Sequence, residues 1–340
     1  MADDDIFAGT AQAEELTFAT FGCDVFQANP PTPDRLEPDI RFELGVRHGL
    51  KLPTPDFREI EVWRFDWEDR PRTNAWPSPT LRMRQGQVVH STIHSRSNTH
   101  TIHHHGIEPT PVNDGVGHTS FEVSGRYTYQ FQANEPGTYF YHCHKNTVLH
   151  FEMGMYGFLI VDPPEGPGAL FSGGPRYDVE KLWAVDDFDP RWRELDDQAG
   201  LCGEDAGLNL FNPKYFGVSG AFAPNTNTDP RAVVRARGGE RILIRLLNGS
   251  YSVLRTTLGV DAMVVGVDGR GLGRTGAPWS RPFAIPAGQP FELTTAQRYD
   301  LLITPPHAGE YPVRFEFLNW ITRAVQDRGR GVALTRIIVT

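Results

Sequence analysis

Short runs of β-branched and aromatic residues, cut by glycine and proline, recur along most of the chain. Residues 80–97 (TLRMRQGQVVHSTIHSRS) alternate apolar and polar positions on both sides of Gly86, the pattern of half-buried strands. Residues 125–133 (GRYTYQFQA), 137–144 (GTYFYHCH) and 157–164 (GFLIVDPP) are further runs of this kind, and residues 232–250, 262–269, 298–317 and 333–340 repeat the style. Helical periodicity is weak. Many short strands with regular turn signals predict an all-β fold of sandwich type. Residues 162–176 (DPPEGPGALFSGGPR) are rich in Pro and Gly, separate two strand-dense regions and read as an interdomain linker. Residues 1–60 carry fewer strand signals and several prolines, so they read as an N-terminal arm. The expected units are therefore the arm at 1–60, a first domain at 61–165 and a second at 175–340. The echo of EPGTYFY (135–141) in HAGEYPV (307–313) suggests two copies of one fold.

A chain of 340 residues has room for two domains of common size. Its 39% hydrophobic and 22% charged content is that of a globular protein. A formal charge of −9 argues against nucleic acid as a partner. No apolar run approaches membrane-spanning length. The acidic start, MADDDIFAGT, lacks the basic and apolar regions of a signal peptide; a cytoplasmic protein and a mature chain with a new initiator Met both fit it. Three cysteines, Cys23, Cys143 and Cys202, are too few for a disulfide framework, and Cys23 and Cys202 are expected to be free or buried.

Histidine changes the picture. Of twelve histidines, eleven fall between residues 48 and 150 and only His307 lies beyond, which places the chemistry in the first domain. In HTIHHHG (100–106), strand alternation puts His103 and His105 on one face and His104 on the other, while His100 is placed to point elsewhere. In YHCHKNTVLHFEMGM (141–155), His142 and His144 form a second such pair and Cys143 faces the opposite way. One thiolate, two imidazoles and a weak thioether are the ligand set of a blue copper centre. His100, Cys143 and His150, with Met153 or Met155, supply that set. The two H-x-H pairs supply a separate all-imidazole set, joined to the first through Cys143 by a few covalent bonds.

On these motifs the chain resembles the multicopper oxidases, laccase-like members of the cupredoxin superfamily. The stretches PSPTLRMRQGQ, DGVGHTSFEVSGRYTYQF and PGTYFYHCH are similar to that family's framework, and ERILIRLLNGS, VVGVDG and AQRYDLLI look like a copper-free laccase domain. The resemblance spans about residues 76–340. It implies two tandem cupredoxin-like Greek-key β-sandwiches behind an N-terminal extension. By resemblance His100, Cys143, His150 and Met155 are type 1 copper ligands, Met155 being preferred over Met153 for its distance in sequence from His150. His103, His105, His142 and His144 are half of a second centre of type 2/type 3 kind. Copper is the implied cofactor. The implied activity is that of an oxidoreductase: a small-molecule or metal-ion donor gives single electrons through the edge of His150, and Cys143 passes them on to the second centre, where dioxygen is reduced. A periplasmic or secreted location is implied as well.

Two departures qualify the resemblance. The interval from Cys143 to His150 is seven residues, longer than the usual oxidase pattern and closer to that of copper nitrite reductases. The second domain also lacks the imidazoles that normally complete such a centre; FLNWITR stands where an H-x-H is expected. A homo-oligomer in which another chain completes the second site is one answer, and two first domains facing across a symmetry axis would supply the count. A nitrite reductase-like enzyme is a rival, since His105 and His142 match its ligand positions, but His103 stands where that family has its catalytic Asp. A blue-copper electron-transfer or copper-handling protein with an incomplete second site is another. Asp114 reads either as a turn residue before Gly115 or as an acid relaying protons near copper. His104 is expected to be packed rather than ligating, His90 and His94 to lie with Thr92 on a solvated strand face, His118 to lie in a loop near the second centre as a bystander sooner than as a ligand, and His307 to sit in a surface turn.

Overall fold

The alternating segments fold as strands, and the strands assemble into two successive β-sandwiches. The computed structural model describes residues 37–72, 75–117, 120–201, 204–274 and 280–340. Cys23, Cys202 and His118 lie outside the described residues, as does the arm before residue 37.

The first sandwich contains β1 (Ile40–Pro53), β2 (Glu59–Trp67), β3 (Leu81–Arg84), β4 (Val88–His100), β5 (His103–His105), β6 (Val123–Gln132), β7 (Gly137–His142) and β8 (Tyr156–Asp162). One sheet has the order β2-β1-β4-β6 and the other β3-β8-β7-β5. Their inner faces share a core that includes Leu44, Phe65, Val89, Ile93, Tyr129 and Leu159. Gly86, at φ 88°, makes the turn between β3 and β4, which requires the left-handed region that glycine enters freely.

The arm expected over 1–60 does not hold from residue 40 onward. β1 pairs in parallel with β4 and antiparallel with β2, so both strands belong to the first sheet. The signal was weak because β1 breaks register between Arg47 and Leu50, which interrupts the period-two pattern. His90 and Thr92 were expected on a solvated face, yet both are buried. Thr92 meets the Thr128 hydroxyl at 2.9 Å across β6, and His94 Nε2 meets Glu43 of β1 at 2.7 Å. β4 lies inside its sheet, so side chains from both neighbouring strands stand beside that face.

The linker docks on the second domain, where Leu170, Phe171 and Tyr177 form a small core with Leu243 and Val265. The second sandwich opens with β9 (Val179–Phe188), which runs parallel to the strand Ile242–Asn248 in an eight-stranded sheet. A five-stranded sheet centred on Gly309–Leu318 and Val332–Val339 packs across it. Charged residues fix the two domains together. Arg82 of β3 pairs with Asp162 and reaches Glu180 of β9 at 2.6 Å. The buried Arg245 bonds Glu180 at 2.8 Å and the Thr138 hydroxyl of β7 at 2.8 Å. Both guanidiniums hold the Glu180 carboxyl at about 2 against the burial that would raise it. Among the described residues no helix is long and apolar enough to cross a membrane.

Candidate metal centre

Cys143 follows the last residue of β7, and its N–H bonds the Met155 carbonyl at 3.0 Å, the entry to β8. This pairing anchors the chain on both sides of a six-residue helix, α2 (Thr147–Glu152), which carries His150. Glu152, at the end of α2, pairs with Arg193 and accepts the Asp189 N–H at 2.7 Å, so α2 is held against the second domain. Cys143 Sγ lies 3.3 Å from His150 Nδ1 and 3.7 Å from His100 Nδ1. These three ligand atoms fall within 4.8 Å of one another, and all three residues are fully buried.

Burial sets the protonation of this group. It pushes the Cys143 thiol up to about 11 and lowers the His150 imidazole to about 3. His100 is lowered well below its ordinary value, first by burial and then by His150, His48 and Lys145. Two neutral imidazoles beside a thiol are the donor set of a soft, thiophilic metal ion, whose charge would displace the thiol proton. His100 Nε2 is buried without a hydrogen-bond partner, whereas His150 Nε2 donates to the Asp197 carbonyl at 2.9 Å. Met155 is fully buried in the same core, its N–H on the His150 carbonyl at 3.1 Å. Met153 is also buried, but its sulfur accepts from Arg193 at 3.4 Å.

The second group lies on the other side of Cys143. β5 pairs antiparallel with β7, setting His103 opposite His142 and His105 opposite Phe140. The ring of His103 stands 5.3 Å from His105, 5.2 Å from His142 and 5.3 Å from His144, centre to centre. His105 Nδ1 and His142 Nε2 are 3.3 Å apart, and the ligand atoms of His103, His105 and His142 lie within 4.8 Å of one another. His144 lies at the edge of this group, its ring 5.6 Å from that of His142 and its N–H on the Thr101 hydroxyl at 2.8 Å. Burial lowers His105 to about 3 and His142 well below the usual value, so both rings are neutral and able to bind metal.

The remaining histidines separate cleanly. His104 points the other way, buried with its ring 4.6 Å from Phe131 and 5.7 Å from Tyr129. His307 occupies an exposed turn, with Nδ1 on the Ala308 carbonyl at 2.9 Å.

Outer partners orient the rings. His142 Nδ1 donates to the Cys143 carbonyl at 2.8 Å, turning Nε2 toward the other imidazoles. Asp114 ends the short helix α1 (Pro111–Asp114) and receives His103 Nδ1 twice, at its carbonyl (2.7 Å) and its carboxylate (3.2 Å). Burial raises the Asp114 carboxyl, but the hydrogen bond and charge of His103 outweigh it, and its pKa is lowered. A carboxylate that holds a ligating His in one tautomer is a recurrent outer-shell arrangement. Asp114→Asn is expected to weaken metal retention at the imidazole group by about 10–100-fold while sparing the Cys143 group. Competition with a chelator, followed separately for each centre, measures this; equal loss at both would refute it.

His103 and His105 open onto a cavity of about 530 Å³ whose far wall is Asp268, Arg270 and Arg298 of the second domain. Arg298 is buried there over the Phe140 ring at 5.3 Å and beside Asp268 at 3.2 Å. Sequence reading passed over these guanidiniums, because a lone Arg on a strand carries no spacing signal. It also passed over His48, Trp63 and Asp197, which pack around the Cys143 group: His48 falls within the expected arm, Trp63 carries no spacing signal, and Asp197 acts through its backbone carbonyl.

Residues 73–166 match the family model described as multicopper oxidase. The chain is 37% identical over 151 residues to an L-ascorbate oxidase of Cucumis sativus, covering 39% of this chain and 25% of that protein. It is 26% identical over 291 residues to the multicopper oxidase MmcO of Mycobacterium tuberculosis, covering 76% and 52%. It thus spans about a quarter of the first relative and about half of the second. In fold it is similar to a blue copper oxidase from Nitrosomonas europaea, with a TM-score of 0.67 at 21% identity over 88% of this chain and 85% of the other. The two sandwiches are accordingly of the cupredoxin-like kind found in multicopper oxidases.

Proposed function

We propose that this chain, whose residues 73–166 match the multicopper oxidase family model, is a copper-dependent oxidoreductase coupling one-electron oxidation of a donor to reduction of dioxygen. The observation that carries this reading is the placement of two donor groups on either side of one residue. Cys143 sits in the buried thiol–imidazole group, and its sequence neighbours His142 and His144 sit in the imidazole group. Copper bound at the two centres would supply electron acceptance at the first and the four-electron reduction of dioxygen to water at the second.

The chain's own residues prepare both centres. His100, Cys143 and His150, with Met155, would hold the first copper in a dry core, and such burial and a thioether donor are what tune a blue site. Arg193 engages the sulfur of Met153, which supports Met155 as the thioether that would complete the first site. His103, His105, His142 and His144 hold the second, and Asp114 keeps His103 in its ligating tautomer. This assigns Asp114 an orienting role in preference to proton relay. Among the described residues the facing wall offers Arg270 and Arg298 and no imidazole, so further imidazoles come from a second copy of the chain in a homo-oligomer.

Copper per chain, measured with the absorption and EPR spectra of the loaded protein, tests the proposal. An intense visible band with more than one copper per chain and a second copper signal supports it. The band with a single copper indicates a blue electron-transfer protein instead. Absence of the band refutes the role of Cys143.

A further inference from the structure

The usual expectation that electrons enter at the exposed edge of a histidine ligand meets an obstacle here. His150 is fully buried, and its Nε2 is capped by the Asp197 carbonyl. Asp197 belongs to a segment of the second domain whose Leu195, Ala199, Leu208 and Phe211 pack onto the first core. Asn146, next to α2, pins that segment by donating to the carbonyls of Asp197 (3.3 Å) and Ala199 (2.9 Å). A donor therefore cannot touch the His150 edge while this segment is in place.

A different path leads outward from the same centre. His48, at the irregularity of β1, is exposed to solvent. Its ring stacks on Trp63 of β2, with centres 4.6 Å apart and planes at 22°. It also meets His100 edge-on at 5.5 Å. Trp63 is buried and meets His150 edge-on at 5.4 Å. Two stacked rings thus link solvent to both imidazoles of the Cys143 group. The stack is held in place. Trp63 Nε1 donates to Glu61 Oε1 at 3.1 Å, Glu61 also binds Lys51 at 2.8 Å, and the Trp63 N–H bonds the Met153 carbonyl at 2.8 Å. Aromatic pairs at these separations are in van der Waals contact, so no gap interrupts the path.

We propose that the His48–Trp63 pair is the electron-entry port of the first centre. The inference rests on the proposed copper oxidase reading. Each event removes one electron from a donor at the exposed His48 face and reduces the cupric ion of the first centre to cuprous. The two rings serve as the bridging medium and are not themselves oxidised. No protein bond forms or breaks, and a phenolic donor releases its proton to water at the rim. His48 and Trp63 are in this sense bridging residues, with no role as metal ligands.

The test uses the copper-loaded full chain and hexaammineruthenium(II), an outer-sphere one-electron reductant that needs no substrate pocket. Bleaching of the visible band is followed anaerobically in a stopped-flow at high ionic strength, where exposed charges are screened. Trp63→Leu is expected to slow bleaching about tenfold or more, and His48→Leu by at least about threefold, with band position and reduction potential unchanged. Rates within about twofold of the parent in both variants, with the band intact, overturn the port. If Trp63→Leu fails to retain the band, His48→Leu, a change at an exposed position, decides by the same criterion. A parent protein without any visible band overturns the copper reading itself, and is thereby distinguished from failure of the port alone.

Discussion

Cys143→Ser is expected to abolish the intense visible absorption of the copper-loaded protein and to remove about one copper per chain, leaving the metal at the imidazole group. Sγ is the shared neighbour of His100 Nδ1 and His150 Nδ1, so no other side chain takes over its position. A serine hydroxyl is a harder donor than a thiolate and stays protonated, so it does not reproduce the soft ligand that selects copper. Oxidation of a donor then falls by about 100-fold or more, exceeding the usual loss from an outer-shell change. The metal-free variant also buries a hydroxyl where the thiol sat, at a cost of about 1–3 kcal/mol if the hydroxyl finds no acceptor. Urea titration of the metal-free proteins separates that folding cost from the loss of metal. Retention of the band by a folded Cys143→Ser variant would sink the ligand assignment.

The second large effect concerns the other centre. His103→Ala combined with His142→Ala is expected to empty the imidazole group while the visible band remains. His103 has three of the other imidazoles within about ring-contact range, and His142 supplies the Nε2 that faces His105. Without them only His105 and His144 remain, too few to retain copper against a chelator. Donors still bleach the band in this variant, but its recovery in dioxygen slows by about 100-fold or more, a loss at the acceptor end only. Metal analysis, EPR and an oxygen electrode read the three consequences separately. A double variant with the full copper complement would refute the second centre. His142 is next to Cys143 and bonds its carbonyl, so His105→Ala serves as the companion that leaves the Cys143 loop untouched. If a second copy of the chain supplies ligands, emptying this centre also weakens the oligomer, because metal bound across an interface stabilises the assembled state by mass action. Sedimentation of loaded and emptied protein checks that point.

Several features were determined by the sequence alone, because they depend on local periodicity. Strand alternation places His103 and His105 on one face and His104 on the other, and the register of β5 against β7 keeps that division. The same alternation sends Cys143 away from its flanking histidines, which separates one donor group from the other. Linear spacing was enough to expect Cys143 and His150 side by side, since a tight loop between two paired strands leaves little freedom over where its residues go, whereas His100 arrives from the end of β4. The all-β architecture followed from short apolar runs and turn residues, signals that propensity carries locally.

The remaining features depend on contacts between segments far apart in sequence, which local periodicity does not encode. β1 and β2 join the first sheet despite their irregular pattern, since pairing with β4 supplies the hydrogen bonds and the core supplies the apolar contacts. That placement brings His48 and Trp63 to the Cys143 group. The burial of His150 comes from a second-domain segment more than forty residues further along the chain, held by backbone carbonyls that leave no mark in residue type. Asp114 meets His103 across a short helix, and Arg193 reaches the Met153 sulfur from the second domain, contacts that leave no mark in local sequence. Periodicity specifies which face of a strand a side chain occupies; which distant residue then covers it is set by how the sheets and domains pack.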